Sequence, residues 1–268
     1  MKKKFAVIGV GNMARSIIAG ISSANIPVSS FHLYDKIDTA CSSYENSKDF
    51  HIEKDIVSAV EQADCILLSV KPQNYSEILT EIKKADGFKN KLYISIGAGI
   101  TSQSVSDELS GANVIRVLPN LPMTVGMGVS VICKNEKVST EDFKFVEDVF
   151  ASSGSTLLID EKDMNAIIGV TSSSPAYVFK FINAICMGAA AQGLDGDALI
   201  NTVCDVVIGS AQLLKQSKDT PAELISKVAS KGGTTEQALI KIDEGNFDET
   251  IKNAMIACTK RADELGKK

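Results

Sequence analysis

The sequence predicts an α/β protein in two parts, a doubly wound parallel sheet followed by an all-helical C-terminal domain. Three observations predict it. Short apolar runs alternate with helical stretches up to about residue 160, a glycine-rich turn follows the first run, and helical apolar spacing without a convincing strand fills the rest. The expected division is 1–160 for the sheet domain and 161–268 for the helical one.

Residues 5–9 read as the first strand and 12–24 as a helix, with Met13, Ile17, Ile18 and Ile21 on one face. Residues 31–34 form a second strand and 55–63 another helix. The run 65–70 is apolar apart from Ser69, as for a parallel strand covered on both faces. Strands at 92–96, 114–118, 129–133 and 156–159 continue the series, and alternation with helices implies βαβ units. Helical spacing then marks 175–193, 195–217, 220–229, 233–244 and 247–265. Asp195 and Thr220-Pro221 read as helix starts, Gly193 as a C-cap. The helix from Asp195 is apolar over most of its circumference (Leu199, Ile200, Val203, Val206, Val207, Ile208, Leu213), so it needs cover from a second copy or from neighbouring helices.

Composition narrows the function classes. The chain has 268 residues, 44% hydrophobic and 23% charged, and its net charge of −5 is spread without basic blocks. Nucleic acid and membrane partners are therefore not expected. Lys2-Lys3-Lys4 precedes an apolar run that breaks at Gly9, with Asn12 and Arg15 following, so no signal-peptide core forms. No stretch is read as a membrane span of roughly 18 apolar residues. A cytoplasmic protein is expected. The six cysteines show no C-x-x-C pair and read as reduced thiols; with only His32 and His51 beside them, a metal centre is not expected.

Ile8-Gly9-Val10-Gly11-Asn12-Met13-Ala14 stands between the first strand and the first helix and reads as G-x-G-x-x-A, a Rossmann dinucleotide fingerprint. Gly9 permits the tight turn, Gly11 lets backbone approach a pyrophosphate, and the helix start offers unpaired amides. Asp35 closes the second strand, where a carboxylate bonds ribose hydroxyls and repels a 2′-phosphate; that leans towards NADH, whereas Lys36 beside it suits a phosphate, and NADPH stays open. Three strand ends should border the nicotinamide: Ser69-Val70-Lys71-Pro72, Gly97-Ala98-Gly99 and Leu118-Pro119-Asn120. Pro72 and Pro119 alternatively only end their strands.

Two runs mark the helical half. Thr171-Ser172-Ser173-Ser174-Pro175 combines an N-cap with a first-turn proline and suits a polar cleft or a plain kink. Ser230-Lys231-Gly232-Gly233-Thr234-Thr235 lies between helices; paired glycines before a helix start make a nest for a carboxylate, where a simple turn would need one glycine.

With these motifs in order (G-x-G-N-M-A, Val70-Lys71-Pro72, Leu118-Pro119-Asn120, S-S-P-A-Y-V-F and G-G-T-T), the sequence resembles pyrroline-5-carboxylate reductases from Ile8 to the final helix. It departs at Ser172, where that family commonly has Gly, at Lys231, where it has Pro, and at Leu121, where it has Thr. These departures bear on substrate geometry. The resemblance implies reduction of the cyclic imine 1-pyrroline-5-carboxylate to L-proline, with NADPH or NADH as hydride donor. It assigns Ser230, Gly232, Gly233 and Thr234 to the substrate carboxylate, and makes Thr235 both substrate-binding and catalytic, its hydroxyl bonded to the imine nitrogen. Ile8, Gly9, Val10, Gly11, Asn12, Met13, Asp35, Val70, Lys71, Pro72, Ala98 and Asn120 are expected at the cofactor. A homodimer or higher homo-oligomer through the helical domain is implied too. Two rivals share the plan: a β-hydroxyacid dehydrogenase using Lys180, from the K-x-x-N spacing of Lys180 and Asn183, and a dinucleotide sensor without turnover.

Overall fold

The computed structural model describes residues 2–135, 137–194 and 196–266; the helix start read at Asp195 lies outside them. The described residues form one eight-stranded sheet in the order β3-β2-β1-β4-β5-β6-β7-β8. The strands are β1 (Lys3–Ile8), β2 (Val28–Tyr34), β3 (Phe50–Ile52), β4 (Cys65–Leu68), β5 (Leu92–Ser95), β6 (Asn113–Leu118), β7 (Gly128–Lys134) and β8 (Gly154–Leu158). The helices are α1 (Asn12–Ser23), α2 (Ile56–Gln62), α3 (Tyr75–Ile82), α4 (Ser102–Glu108), α5 (Thr140–Ala151), α6 (Met164–Ile167), α7 (Ser174–Ala190), α8 (Asp197–Gln216), α9 (Pro221–Val228), α10 (Thr234–Glu244) and α11 (Phe247–Leu265).

Strand alternation sorts the core into two layers. On β1, Phe5 and Val7 join Ile17, Ile18, Phe145 and Val149 beneath α1 and α5. Ala6 and Ile8, pointing the other way, join Val60, Leu68, Leu79 and Val105 beneath α2, α3 and α4. Both faces of Phe5–Ile8 in β1 and of β4 are thus covered, which explains the unbroken apolar sequence there.

One pairing departs from the expected parallel sheet. β7 runs antiparallel to β6, with Ile115 opposite Lys134 and Leu118 opposite Val131. The connection between them holds only the short 3-10 turn Leu121–Val125, too little for the crossover that a parallel return requires.

The chain divides into two compact units: residues through Ser173 together with those from Met255 onward, and Ser174–Ala254. The expected boundary at 160/161 sits thirteen positions earlier by numbering, because β8 is followed by α6, whose Met164 belongs to a third cluster with Leu118, Val131 and Ala262. In the second unit, α9 opens as its sequence signals. Thr220 and Glu223 form a reciprocal capping box, and Pro221 takes the first helical position. The expectation that no stretch suits a membrane span is corrected by residues Ala198–Gln216, which are long and apolar enough by composition, with a mean hydropathy of 1.3.

A polar network absent from the sequence reading anchors the sheet's far end. Arg116, on β6 and 1% exposed, donates through Nη1 to Glu161 at 2.8 Å and through Nη2 to Asn165 at 2.7 Å. Asn165 in turn donates to Asp263 at 2.7 Å. Burial opposes ionisation of Glu161, but hydrogen bonds from Ser102 and Arg116 outweigh it and hold the carboxyl below the usual range. A carboxyl whose pKa falls on folding stabilises the native state above its unfolded pKa, and that contribution disappears as pH drops through the folded value. Glu161→Gln should therefore cost about 1.5–3 kcal/mol at neutral pH. Urea titrations should show the gap from the parent chain closing below about pH 4.

Candidate functional site

The glycine-rich turn leaves β1 in a conformation only glycine tolerates well. Gly9 has φ +93°, and a Cβ there would lie 2.6 Å from the Ser69 carbonyl oxygen at the end of β4. Its amide donates to the Tyr34 carbonyl at 2.8 Å, tying the turn to β2. Gly11 occupies the N-cap of α1 with no side-chain cap, so the helix entrance keeps its amides available to an anion. Gly9→Ala should cost about 1–3 kcal/mol in backbone strain. The same substitution should weaken dinucleotide binding, measured by thermal melts and calorimetric titration.

A cleft of about 610 Å³ opens beside this turn, at the carboxyl ends of β1, β2 and β4. Ile8, Gly9, Gly11, Asp35, Val70 and Lys71 of the expected cofactor set line it. Val10 enters through its amide, which donates to Asp35 Oδ2 at 2.7 Å. The first turn of α1 carries Asn12 and Met13, and Pro72 opens the 3-10 turn Pro72–Asn74. Ser69, from the strand end expected at the nicotinamide, lines it too, while sequence reasoning missed Asp55, Asn74 and Glu77. A cleft of this size beside a tight glycine turn and a bare helix entrance fits a dinucleotide.

The other two strand ends behave differently. Ala98 is half-buried after β5. Asn120 is buried, and its side-chain amide donates to the Thr171 carbonyl at 3.0 Å while its oxygen accepts from Val129 N at 2.8 Å. Those bonds hold the β6–β7 connection, so its side chain has work in the fold. Tyr75, unforeseen, braces this end of the sheet. Its hydroxyl donates to the Leu68 carbonyl at 3.0 Å and accepts from Gly97 N at 2.9 Å, with Ser95 Oγ at 3.0 Å. Burial pushes that phenol up to about 12, so it stays protonated.

The second site element lies in the helical unit, where the G-G-T-T run joins α9 to α10. Gly232 has φ +75°, and a Cβ on Gly233 would come within 2.9 Å of the Ser230 carbonyl oxygen. Both glycines are therefore required by the backbone, unlike a simple turn that needs one. Gly233 is the N-cap of α10 without a side-chain cap, and Thr234 and Thr235 open the helix. A carboxylate already binds here: Gly232 N donates to Glu236 Oε2 at 2.7 Å. Glu236 was not foreseen. Ser230 and Lys231 are exposed, Thr235 half-buried.

Of the departures noted in the sequence, Leu121 is exposed and Ser172 Oγ is buried without a hydrogen-bond partner. Lys180, which the dehydrogenase reading requires, is solvent-exposed on α7. Among the described residues, no cluster of three or more His, Cys, Asp or Glu is arranged to hold a metal ion.

Comparison with known proteins adds the following. Residues 161–265 match the family model for pyrroline-5-carboxylate reductase dimerisation. Residues 4–99 match that for NADP oxidoreductase, coenzyme F420-dependent. The chain is 30% identical over 268 residues to a pyrroline-5-carboxylate reductase of Methanosarcina acetivorans, covering 99% of each. It is 32% identical to the Arabidopsis thaliana protein of that description, covering 98% of this chain and 95% of the other. Among solved structures, a Plasmodium falciparum pyrroline carboxylate reductase with NADP bound superposes with a TM-score of 0.89 at 27% identity, covering 99% of both chains. A Streptococcus pyogenes 1-pyrroline-5-carboxylate reductase gives 0.88 at 26% identity, covering 98% of both.

Proposed function

The chain belongs to the pyrroline-5-carboxylate reductase family, and from that premise we propose that it reduces 1-pyrroline-5-carboxylate to L-proline with NADPH or NADH. The observation that carries the substrate assignment is the Gly232–Gly233 entrance to α10, whose Gly232 amide already takes a carboxylate from Glu236. In this reading the substrate carboxylate displaces Glu236 and is held by Ser230, Gly232, Gly233 and Thr234, with the positive end of the helix dipole behind them. The Thr235 hydroxyl hydrogen-bonds the imine nitrogen.

The bound reduced nicotinamide supplies the hydride. The protein's part is positioning. Gly9, Gly11 and the α1 entrance take the pyrophosphate, Asp35 the adenosine ribose, and Val70, Lys71 and the β5 end the nicotinamide half. Tyr75 fixes the carbonyl and amide ends of β4 and β5 that border it. A protonated imine is electrophilic already, so orientation and charge complementarity suffice without a histidine acid.

We also assign the helical unit to a homodimer or a larger homo-oligomer; its support is the dimerisation-model match and the apolar surface of α8. The cytoplasm suits such an enzyme, and all six cysteines are free thiols, as a reducing compartment keeps them. The decisive assay follows NADH and NADPH oxidation at 340 nm with pyrroline-5-carboxylate as acceptor. Turnover with either cofactor supports the assignment; dinucleotide binding without turnover overturns it in favour of a sensor.

A further inference from the structure

We infer that the chain discriminates in favour of NADH and against NADPH, and that Asp35 is the residue that does so. The inference rests on the cofactor reading above and goes beyond it, because the glycine turn alone takes either dinucleotide.

Asp35 stands at the end of β2, and both of its oxygens are fixed by backbone amides. Val10 N donates to Oδ2 at 2.7 Å and Ile37 N donates to Oδ1 at 2.9 Å. A carboxylate offers about four acceptor positions, so two remain for the 2′- and 3′-hydroxyls of a ribose. The same two bonds work against a phosphate in that place. A 2′-phosphate would look for N–H donors in the turn after β2, and Ile37 N is already spent on Asp35.

The surrounding charge points the same way. Asp35, Asp55, Glu77 and Glu81 line the cleft, against Lys36 and Lys71. Arg15, the nearby guanidinium that could clamp a phosphate, is turned to backbone, donating to the Val10 carbonyl at 3.3 Å and the Ala40 carbonyl at 2.8 Å. Lys36 is exposed at the rim and meets a 2′-phosphate only as a point charge in water, where an ion pair contributes little. Against it stands a pinned carboxylate within reach of the ribose, and like charges so placed carry a large penalty.

The test is calorimetric titration of the full chain with NADH and with NADPH, for the parent and for Asp35→Ser and Asp35→Asn. The parent should bind NADH about 10- to 100-fold more tightly than NADPH. Asp35→Ser, which removes the charge and frees Ile37 N, should shrink that ratio at least about tenfold, chiefly by tightening NADPH. Asp35→Asn keeps the shape and an acceptor for Val10 N, and should shrink it as well. Equal or tighter NADPH binding by the parent, or an unchanged ratio in both variants, overturns the inference while leaving the reductase reading intact. Failure of both dinucleotides to bind overturns the cofactor reading itself.

Discussion

Replacing Thr235 with alanine is expected to lower kcat for imine reduction by about 10- to 1000-fold, the range for one positioned hydrogen-bonding group. The site of the change is favourable for a clean experiment. Thr235 sits in the first turn of α10, directly after the N-cap Gly233 and Thr234, and is half-buried. Alanine has a higher helix propensity than threonine, so the variant should fold at least as well as the parent. A drop in rate therefore reports the hydroxyl. The substrate carboxylate is assigned to the loop's amides, which the substitution leaves in place. KM should accordingly move much less than kcat, and Thr235→Ser, which restores the hydroxyl, should recover most of the rate. The effect has a ceiling because the imine carries its own activation once protonated; the hydroxyl orients it and holds its proton. Stopped-flow or steady-state measurement at saturating cofactor reads the outcome, and a rate equal to the parent's would remove Thr235 from the chemistry.

The parts legible in the sequence are those whose cause is local. G-x-G after an apolar run says strand, tight turn and helix entrance, and the structure puts Gly9 at φ +93° with β4 backbone against it. The unbroken apolar sequence of β4 says burial on both faces, and all four of its residues are buried. The paired glycines before Thr234 are likewise justified by one backbone clash and one positive φ. What escaped depends on partners distant along the chain. Arg116 looks, within Asn-Val-Ile-Arg-Val-Leu, like the polar member of an alternating edge strand. Its burial makes sense only with Glu161 and Asn165 brought up from beyond β8. Tyr75 reads as an ordinary residue after a proline turn, since nothing nearby in the chain announces Gly97 N as its donor. β3 escaped because Phe50–Ile52 is three residues long, with its last two exposed at the sheet edge. Glu236 escaped for the opposite reason: a glutamate in a first turn is so ordinary a helix signal that its reach to Gly232 carries no separate mark.

A single aspartate on α8 should take the assembly apart, and the positions that respond should tell how the partner is seated. Val206 and Ile208 are each 60% exposed in the isolated chain. Two positions apart on a helix is about 200° of rotation, so these side chains point to nearly opposite sides. A helix packed flat on its own chain buries one of those sides and shows the other. Here both are bare, as is Leu213 at 57%, and the 20-residue helix runs its length with little cover. In the homo-oligomer proposed above, a partner that covers these residues would lie along more than one face of α8, which a flat contact would not do. Val206→Asp and Ile208→Asp, made separately, should each weaken self-association by at least about 1000-fold, because an unpaired carboxylate buried in an apolar interface costs several kcal/mol. Light scattering behind size exclusion would show monomer at micromolar concentration for both variants, with the circular dichroism of the chain retained. Dissociation by only one of the pair would mean that a single face of α8 is covered. Survival of the oligomer in both would mean that the interface lies elsewhere, leaving the apolar composition of α8 without an occupant.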